Sequence, residues 1–328
     1  MRTFMSGIFA GVMIAAVMGS VLASQQGGST VIRTDTVTMA EYERWKKELS
    51  NWGRWGKDDQ LGTMNLVTPA KRKQAAALVK EGFSVSLAHD ALTEKAADVP
   101  SPYVPKVGGI HNDSFHGTHT HFDSLSHIRH ELFDNTMYND YKASEDEVKN
   151  GFTRNSIINL KNGVFTRGIL IDIPRLKGVK WLEPGTPIFV EDLEAWEKRA
   201  GVKVGAGDAL FVRTGRWARR AALGPWDTSS GPSGKRAGLA TSVIPWLRQR
   251  DIAVLSCDIP QSVNPSAIFR AAHDFPNVML GVWLLDSSDL EAVAEAAAAR
   301  NRWEFLLTAA PLPLRGNDGS PVNPIATF

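Results

Sequence analysis

Five of the eight histidines in this 328-residue chain fall within one short stretch, His116-Gly117-Thr118-His119-Thr120-His121-Phe122-Asp123-Ser124-Leu125-Ser126-His127-Ile128-Arg129-His130. Inside it, the spacing His121-x-Asp123-x-x-x-His127 suits a metal site. In an extended segment, side chains two residues apart project to the same side, so His121 and Asp123 point together. Ser124-Leu125-Ser126 can then turn the chain and return His127 to the same point. Imidazoles with a carboxylate suit Zn(II), Mn(II) or Fe(II) and leave coordination positions open for water and substrate. A His-rich surface loop is the plain alternative, but ligands must converge from a short scaffold, and histidines this dense meet that demand. They cannot all be ligands, so some hold ligands in place, move protons or touch substrate. His273, alone in the C-terminal half, is a natural candidate to close the cluster from a distance.

The rest of the composition narrows the setting. Lys and Arg total 37 against 35 acidic residues, a net charge of +2, with no cationic block, which argues against a nucleic-acid partner. The beginning reads as a secretory signal: Arg2, an apolar run over 8–17 too short to span a bilayer, and Val21-Leu22-Ala23, with cleavage expected after Ala23. The expected organisation is a signal peptide over 1–23, a flexible lead-in over 24–40, and one domain over 41–328 that carries the histidine cluster. The mature protein is then periplasmic or extracellular and holds no membrane segment. Cys257, the single cysteine, ends an apolar run and reads as a buried thiol, not a nucleophile.

Elements able to carry the cluster are visible at intervals. Thr38-Met39-Ala40-Glu41 is a capping box opening a helix with Tyr42, Trp45 and Leu49. Thr68-Pro69 opens a second helix to about Lys80, with Gly82 just beyond it. Apolar runs at 83–88, 168–173, 209–213, 252–257 and 303–308 predict strands. Helical patterns lie at 191–200, 242–250 and 289–300, the last behind a capping box in Ser288-Asp289-Leu290-Glu291. The mixture predicts an α/β single domain on a mixed sheet.

Thr120-His121-Phe122-Asp123-Ser124-Leu125-Ser126-His127 resembles the signature of the Putative cyclase family, which includes kynurenine formamidases and isatin hydrolase. The likeness extends to Trp52-Gly53-Arg54-Trp55-Gly56 with Asp59 and Leu61-Gly62-Thr63-Met64-Asn65-Leu66, to Arg213-Thr214-Gly215, and to 281–286 followed by Asp289-Leu290-Glu291. It therefore runs over most of the chain from about Trp52, in the manner of the longer bacterial members. The fold it implies is a barrel-like mixed sheet flanked by helices, of the swivelling β/β/α type. His121 and Asp123 match two of the family's metal ligands, His273 its distal ligand, and Asp286 stands where formamidases carry a metal-binding Glu. His127 matches a proton-transferring histidine, although its spacing equally allows ligation. The family's first ligand lies four residues before His121, at Gly117 here, so His116 is the preferred substitute and His119 the second choice. Leu125 stands where shorter formamidases have Pro.

The resemblance implies metal-dependent hydrolysis of an amide, cyclic amide, imide or lactone, with one or two Zn or Mn ions. A bound ion brings the pKa of its water towards ~7 and polarises a carbonyl. His127, then His130, are the candidates to protonate the leaving group. The implied substrate is a small aryl or cyclic molecule. Trp52 and Trp55 are candidates for an aromatic lid and His119 for a substrate contact, while Arg213 can hold either an acidic substrate group or a structural carboxylate. A homodimer or larger homo-oligomer is expected by family precedent. A lyase, cyclising or dehydrating on the same metal, and an exported metal-binding protein without turnover are the rival readings.

Overall fold

The computed structural model describes residues 35–105 and 119–328; the signal-like segment and His116 lie outside the described residues. Thr34–Phe328 cluster as one compact unit. Eleven strands occur among the described residues: β1 (Ser84–Ser86), β2 (His121–Asp123), β3 (Val164–Asp172), β4 (Pro187–Ile188), β5 (Ala209–Arg213), β6 (Gly238–Leu239), β7 (Val254–Cys257), β8 (Trp283–Asp286), β9 (Glu304–Ala309), β10 (Gly319–Pro321) and β11 (Ile325–Thr327). Nine of them form one mixed sheet in the order β1-β11-β9-β3-β5-β7-β8-β2-β10, while β4 and β6 pair separately.

The centre of the sheet, β3-β5-β7-β8, is parallel. Its strands are apolar on both faces: Ile169, Leu170, Ile171, Leu210, Phe211, Val212, Val254, Leu255, Leu284 and Leu285 are all fully buried. Parallel strands need long crossovers, and the crossover helices cover both faces, which explains the unbroken apolar runs. The helices Val190–Ala200, Ile244–Arg250 and Ala271–Val278 lie in those crossovers. Trp196 joins the layers, with its indole donating to the Leu170 carbonyl at 2.8 Å and its ring packed edge-on against Trp303. Antiparallel strands close both sides of this centre, which gives the curled, half-barrel sheet flanked by helices that the sequence predicts.

Most expected elements appear with shifted ends. The first helix, Met39–Glu48, starts on the Thr38–Glu41 capping box, inside the stretch expected to be lead-in. The second, Pro69–Ala76, stops short of Lys80. One local reading is corrected. Ser288 does not cap the helix Glu291–Arg300, because its hydroxyl bonds Ser256 and the Glu291 carboxylate is drawn to Arg213; Asp289 accepts from the Glu291 amide instead.

Close backbone packing sets the entry to β8. Gly62 and Gly281 sit at φ +55° and +68°, and a Cβ on Gly62 would lie 2.2 Å from the Gly281 carbonyl oxygen. Only glycine allows that approach without strain. Thr63 then donates its amide and hydroxyl to the same carbonyl, at 2.9 and 3.0 Å. This holds the block around Gly62 against the chain as it enters β8.

Candidate metal centre

The register of two antiparallel strands builds the centre. β2 pairs with β8 so that His121 faces Asp286, Phe122 faces Leu285, and Asp123 faces Leu284. Directly opposed residues share a face, and so do residues two apart on one strand, so His121, Asp123 and Asp286 converge. Phe122 points the other way and is fully buried in the core. Ligand atoms of His121, Asp123 and Asp286 all lie within 4.8 Å of one another, and all three residues are buried. Beyond Asp286 the chain bends sharply at Ser287, φ +57°, whose carbonyl accepts from the Thr120 hydroxyl at 2.8 Å. That bond ties the start of β2 to the end of β8.

Two further histidines reach the same point. His273 stands in the first turn of the helix Ala271–Val278, with Nε2 3.3 Å from Asp286 Oδ2 and 3.7 Å from Asp123 Oδ2. Its Nδ1 lies 2.8 Å from Asp274 Oδ1 and 3.0 Å from Arg270 Nη2, which hold the ring so that Nε2 faces the cluster. Arg270 is tied to that same carboxylate, Nε to Oδ1 at 3.1 Å. His121 is oriented likewise, its Nδ1 on the His119 carbonyl at 2.9 Å. His127 returns to the site through the Ser124-Leu125-Ser126 turn. Its amide bonds the Ser124 carbonyl, the Ser126 amide bonds the Ser124 hydroxyl, and Asn277 holds the Ser124 carbonyl from the neighbouring helix.

His127 sits between two carboxylates: Nε2 is 3.6 Å from Asp123 Oδ2 and Nδ1 is 3.3 Å from Asp318 Oδ2. Its side chain keeps 13% of its surface open, against 3% for His273. Burial works against its imidazolium, yet the carboxylates of Asp123 and Asp318 outweigh burial and raise its pKa. At His273, burial and Arg270 push the pKa down, but Asp286, Asp123 and Asp274 overcome them and lift it to about 10. Burial alone would raise the pKa of Asp286, and His273 holds it below the ordinary carboxylate value. Carboxylates and imidazoles converging in a buried pocket form a donor set suited to a divalent metal.

The cluster forms one wall of a cavity of about 410 Å³, where His121, Asp123, His127, His273 and Asp286 meet. Other expected site residues lie elsewhere. His130 caps the short helix Glu131–Phe133 by accepting from the Leu132 amide and stacks on Phe269. His119 lines a separate shallow depression with His89. Arg213 pairs with Asp172 at 2.8 Å and Glu291 at 2.6 Å, the structural one of the two roles its type allows. Trp52 packs against the core with its indole bonded to the Val278 carbonyl, and Trp55 carries the Arg54 guanidinium on its ring. Neither tryptophan lines the cavity, because their loop is tethered to the far end of the His273 helix.

Sequence reading missed Asp318, Asp274, Gln261 and the cavity arginines. Asp274 has a visible signal, since it follows His273 directly. Asp318 has none, because it reaches His127 only through the pairing of β10 with β2. Gln261 donates to Asp286 from the loop after β7.

A profile of the Putative cyclase family matches residues 85–262, more than half of the chain. The crystal structure of a novel cyclase superposes with a TM-score of 0.70 at 28% identity, covering 86% of this chain and 99% of that one. Isatin hydrolase A from Labrenzia aggregata, bound to benzyl benzoate, aligns at 17% identity over 77% of this chain and 94% of its own, with a TM-score of 0.48. The isatin hydrolase A of Ralstonia solanacearum aligns at 17% identity over 79% and 97%, with a TM-score of 0.47. No curated protein sequence matches the chain. The chain belongs to the Putative cyclase family.

Proposed function

We propose that this protein is a metal-dependent hydrolase of an amide, cyclic amide, imide or lactone bond in a small, ring-bearing substrate. The observation that carries the reading is the convergence of His121, Asp123 and Asp286, with His273 and His127 beside them, on the wall of a closed-in cavity. His121, Asp123, His273 and Asp286 would hold the ion, with Zn or Mn the metals of choice. When bound, such an ion supplies a water acidic enough to ionise near neutral pH and a Lewis acid for a carbonyl oxygen.

The protein's own residues do the rest. His127 meets the cavity, is partly open to it, and has a carboxylate at each ring nitrogen. It takes a proton at Nε2 and releases it to the leaving nitrogen or oxygen, while Asp318 fixes its ring and stabilises the imidazolium. Asp274 and Arg270 hold the ring of His273, and the His119 carbonyl accepts from Nδ1 of His121. Ala97, Pro100 and Pro260 offer apolar wall to a ring. Export by the segment 1–23 and assembly into a homo-oligomer belong to the same proposal, the first supported by the sequence pattern and the second by family precedent.

Elemental analysis of the purified mature protein, run beside a screen of N-formyl anilines, cyclic imides and lactones, tests the reading. Stoichiometric metal with chelator-sensitive turnover is the expected result. Bound metal without hydrolysis of any member would move the assignment to a lyase or a metal-binding protein, and absence of metal would sink it.

A further inference from the structure

The same cavity is also lined by three arginines, Arg216, Arg236 and Arg270. Two of them are committed. Arg216 pairs with Asp98 at 3.3 Å, and Arg270 with Asp274 at 3.1 Å. Arg236 differs. It is 2% exposed, and among the described residues no carboxylate lies within ion-pair distance of it. Its Nη1 donates to the Thr228 carbonyl at 2.9 Å and the Ser230 hydroxyl at 3.1 Å. Its Nε is buried without a hydrogen-bond partner, and no bond to Nη2 is formed among the described residues. Nε and Nη2 make the edge of a guanidinium that takes a carboxylate side-on through two parallel bonds. A buried charge left this way costs free energy unless something else pairs with it.

The surrounding loop is built to hold that side chain. Arg236 exchanges both backbone hydrogen bonds with Asn264, at 2.9 and 3.0 Å. The Asn264 amide also ties down the carbonyls of Ser229 and Gly231, at 3.3 and 3.2 Å, and that of Gly234. Arg216 is held in turn by Asp258, which accepts from the amides of Thr214, Gly215 and Arg216. Burial first, then the nearby Arg270 guanidinium, bring the pKa of Arg236 down to about 10 against the pull of Asp286 and Asp274, which leaves it charged at neutral pH.

We infer that Arg236, with the Ser230 hydroxyl beside it, is an anion subsite that binds a carboxylate substituent carried by the substrate, in the cavity that the His/Asp cluster also lines. This deepens the hydrolase reading and rests on it for the word substrate, but the subsite can be tested without turnover. The cavity then discriminates by charge: the acyl group goes to the His/Asp cluster and the carboxylate to Arg236. A neutral analogue leaves Arg236 buried and unmatched, which costs more than a missing contact.

The test compares benzoate with benzamide, by calorimetry, on the full mature chain as purified and after chelator treatment. Chelation removes any ion that could itself hold a carboxylate. Benzoate is expected to bind on the order of tenfold or more tightly than benzamide in both preparations, and Arg236→Gln to erase the difference. Arg236→Lys, which keeps the charge and loses the fork, is expected to fall between. If Arg236→Gln does not fold by circular dichroism, the wild-type preference and the lysine variant decide. Equal binding of the two probes, loss of benzoate binding on chelation, or full benzoate affinity in Arg236→Gln each overturns the subsite. In turnover, 2-formamidobenzoate should show a lower KM than formanilide, and Arg236→Gln should remove that gap while metal content stays constant. Equal KM values would refute a substrate carboxylate. If neither compound is hydrolysed, benzoate binding alone judges the subsite, and the hydrolase reading is judged by the wider screen.

Discussion

Asp123 is the residue on which the site turns, with His121 at 3.5 Å, His127 at 3.6 Å and His273 at 3.7 Å from its two oxygens. Asp123→Ala or His121→Ala should abolish metal binding and activity together, as read by elemental analysis and turnover; full activity in either would refute the metal assignment. Asp318 acts through His127 and is a positioning residue. Asp318→Asn should lower turnover about tenfold or more with metal retained, and should shift the acidic limb of the pH profile downward, because the His127 imidazolium loses a partner. A change in KM alone would contradict this. The pH behaviour of the metal-free protein follows from His273, raised from 6.5 to about 10. A raised pKa favours the folded state below the unfolded value, and that contribution fades as pH climbs through the folded value. The metal-free protein should therefore lose stability between about pH 6.5 and 10. Metal affinity should move the opposite way, rising with pH as ligation displaces the His273 proton. Denaturant titrations and zinc affinities measured at several pH values would show it, and a flat affinity profile would remove His273 from the ligand set.

At the scale of elements, the packing of Gly62 on Gly281 fixes where β8 begins and so where Asp286 arrives. A Cβ at Gly281 would meet the Tyr138 ring at 2.6 Å and Gly62 Cα at 2.9 Å, on a backbone at φ +68°. Gly281→Ala should cost more than about 2 kcal/mol by urea unfolding and weaken metal binding as well, because it combines steric overlap with backbone strain. Strands β3, β5, β7 and β9 were legible because each is a short apolar run with clear ends. β2 was legible by its chemistry, through the alternation of His121 and Asp123. The helix Ala271–Val278 was not, since all eight of its residues are buried and no polar face marks its period. β8 was visible only through likeness to the family, and β10 not at all, a three-residue strand containing Pro321.

For the molecule as a whole, the sequence singled out residues that the fold brings together, His121, Asp123, His127, His273 and Asp286, and left their surroundings open. The types of Trp52, Trp55 and Arg213 suit either a substrate contact or a structural role, and the fold gives each a partner within the protein. Trp52→Phe should lose about 1 kcal/mol of stability with the hydrogen bond to Val278, and leave KM unchanged. A large rise in KM would restore the lid. Arg236 shows the converse, a residue with no signal in the chain that the fold makes conspicuous. The register of β2 on β8 has one more consequence, for how the protein reaches its native state. Side chains alternate along a strand, so a slip of a single residue would send Asp286 and the His121–Asp123 pair to opposite faces of the sheet. A mispaired β2–β8 ladder would scatter the residues proposed to hold an ion, so metal binding would add its free energy to the correct register alone.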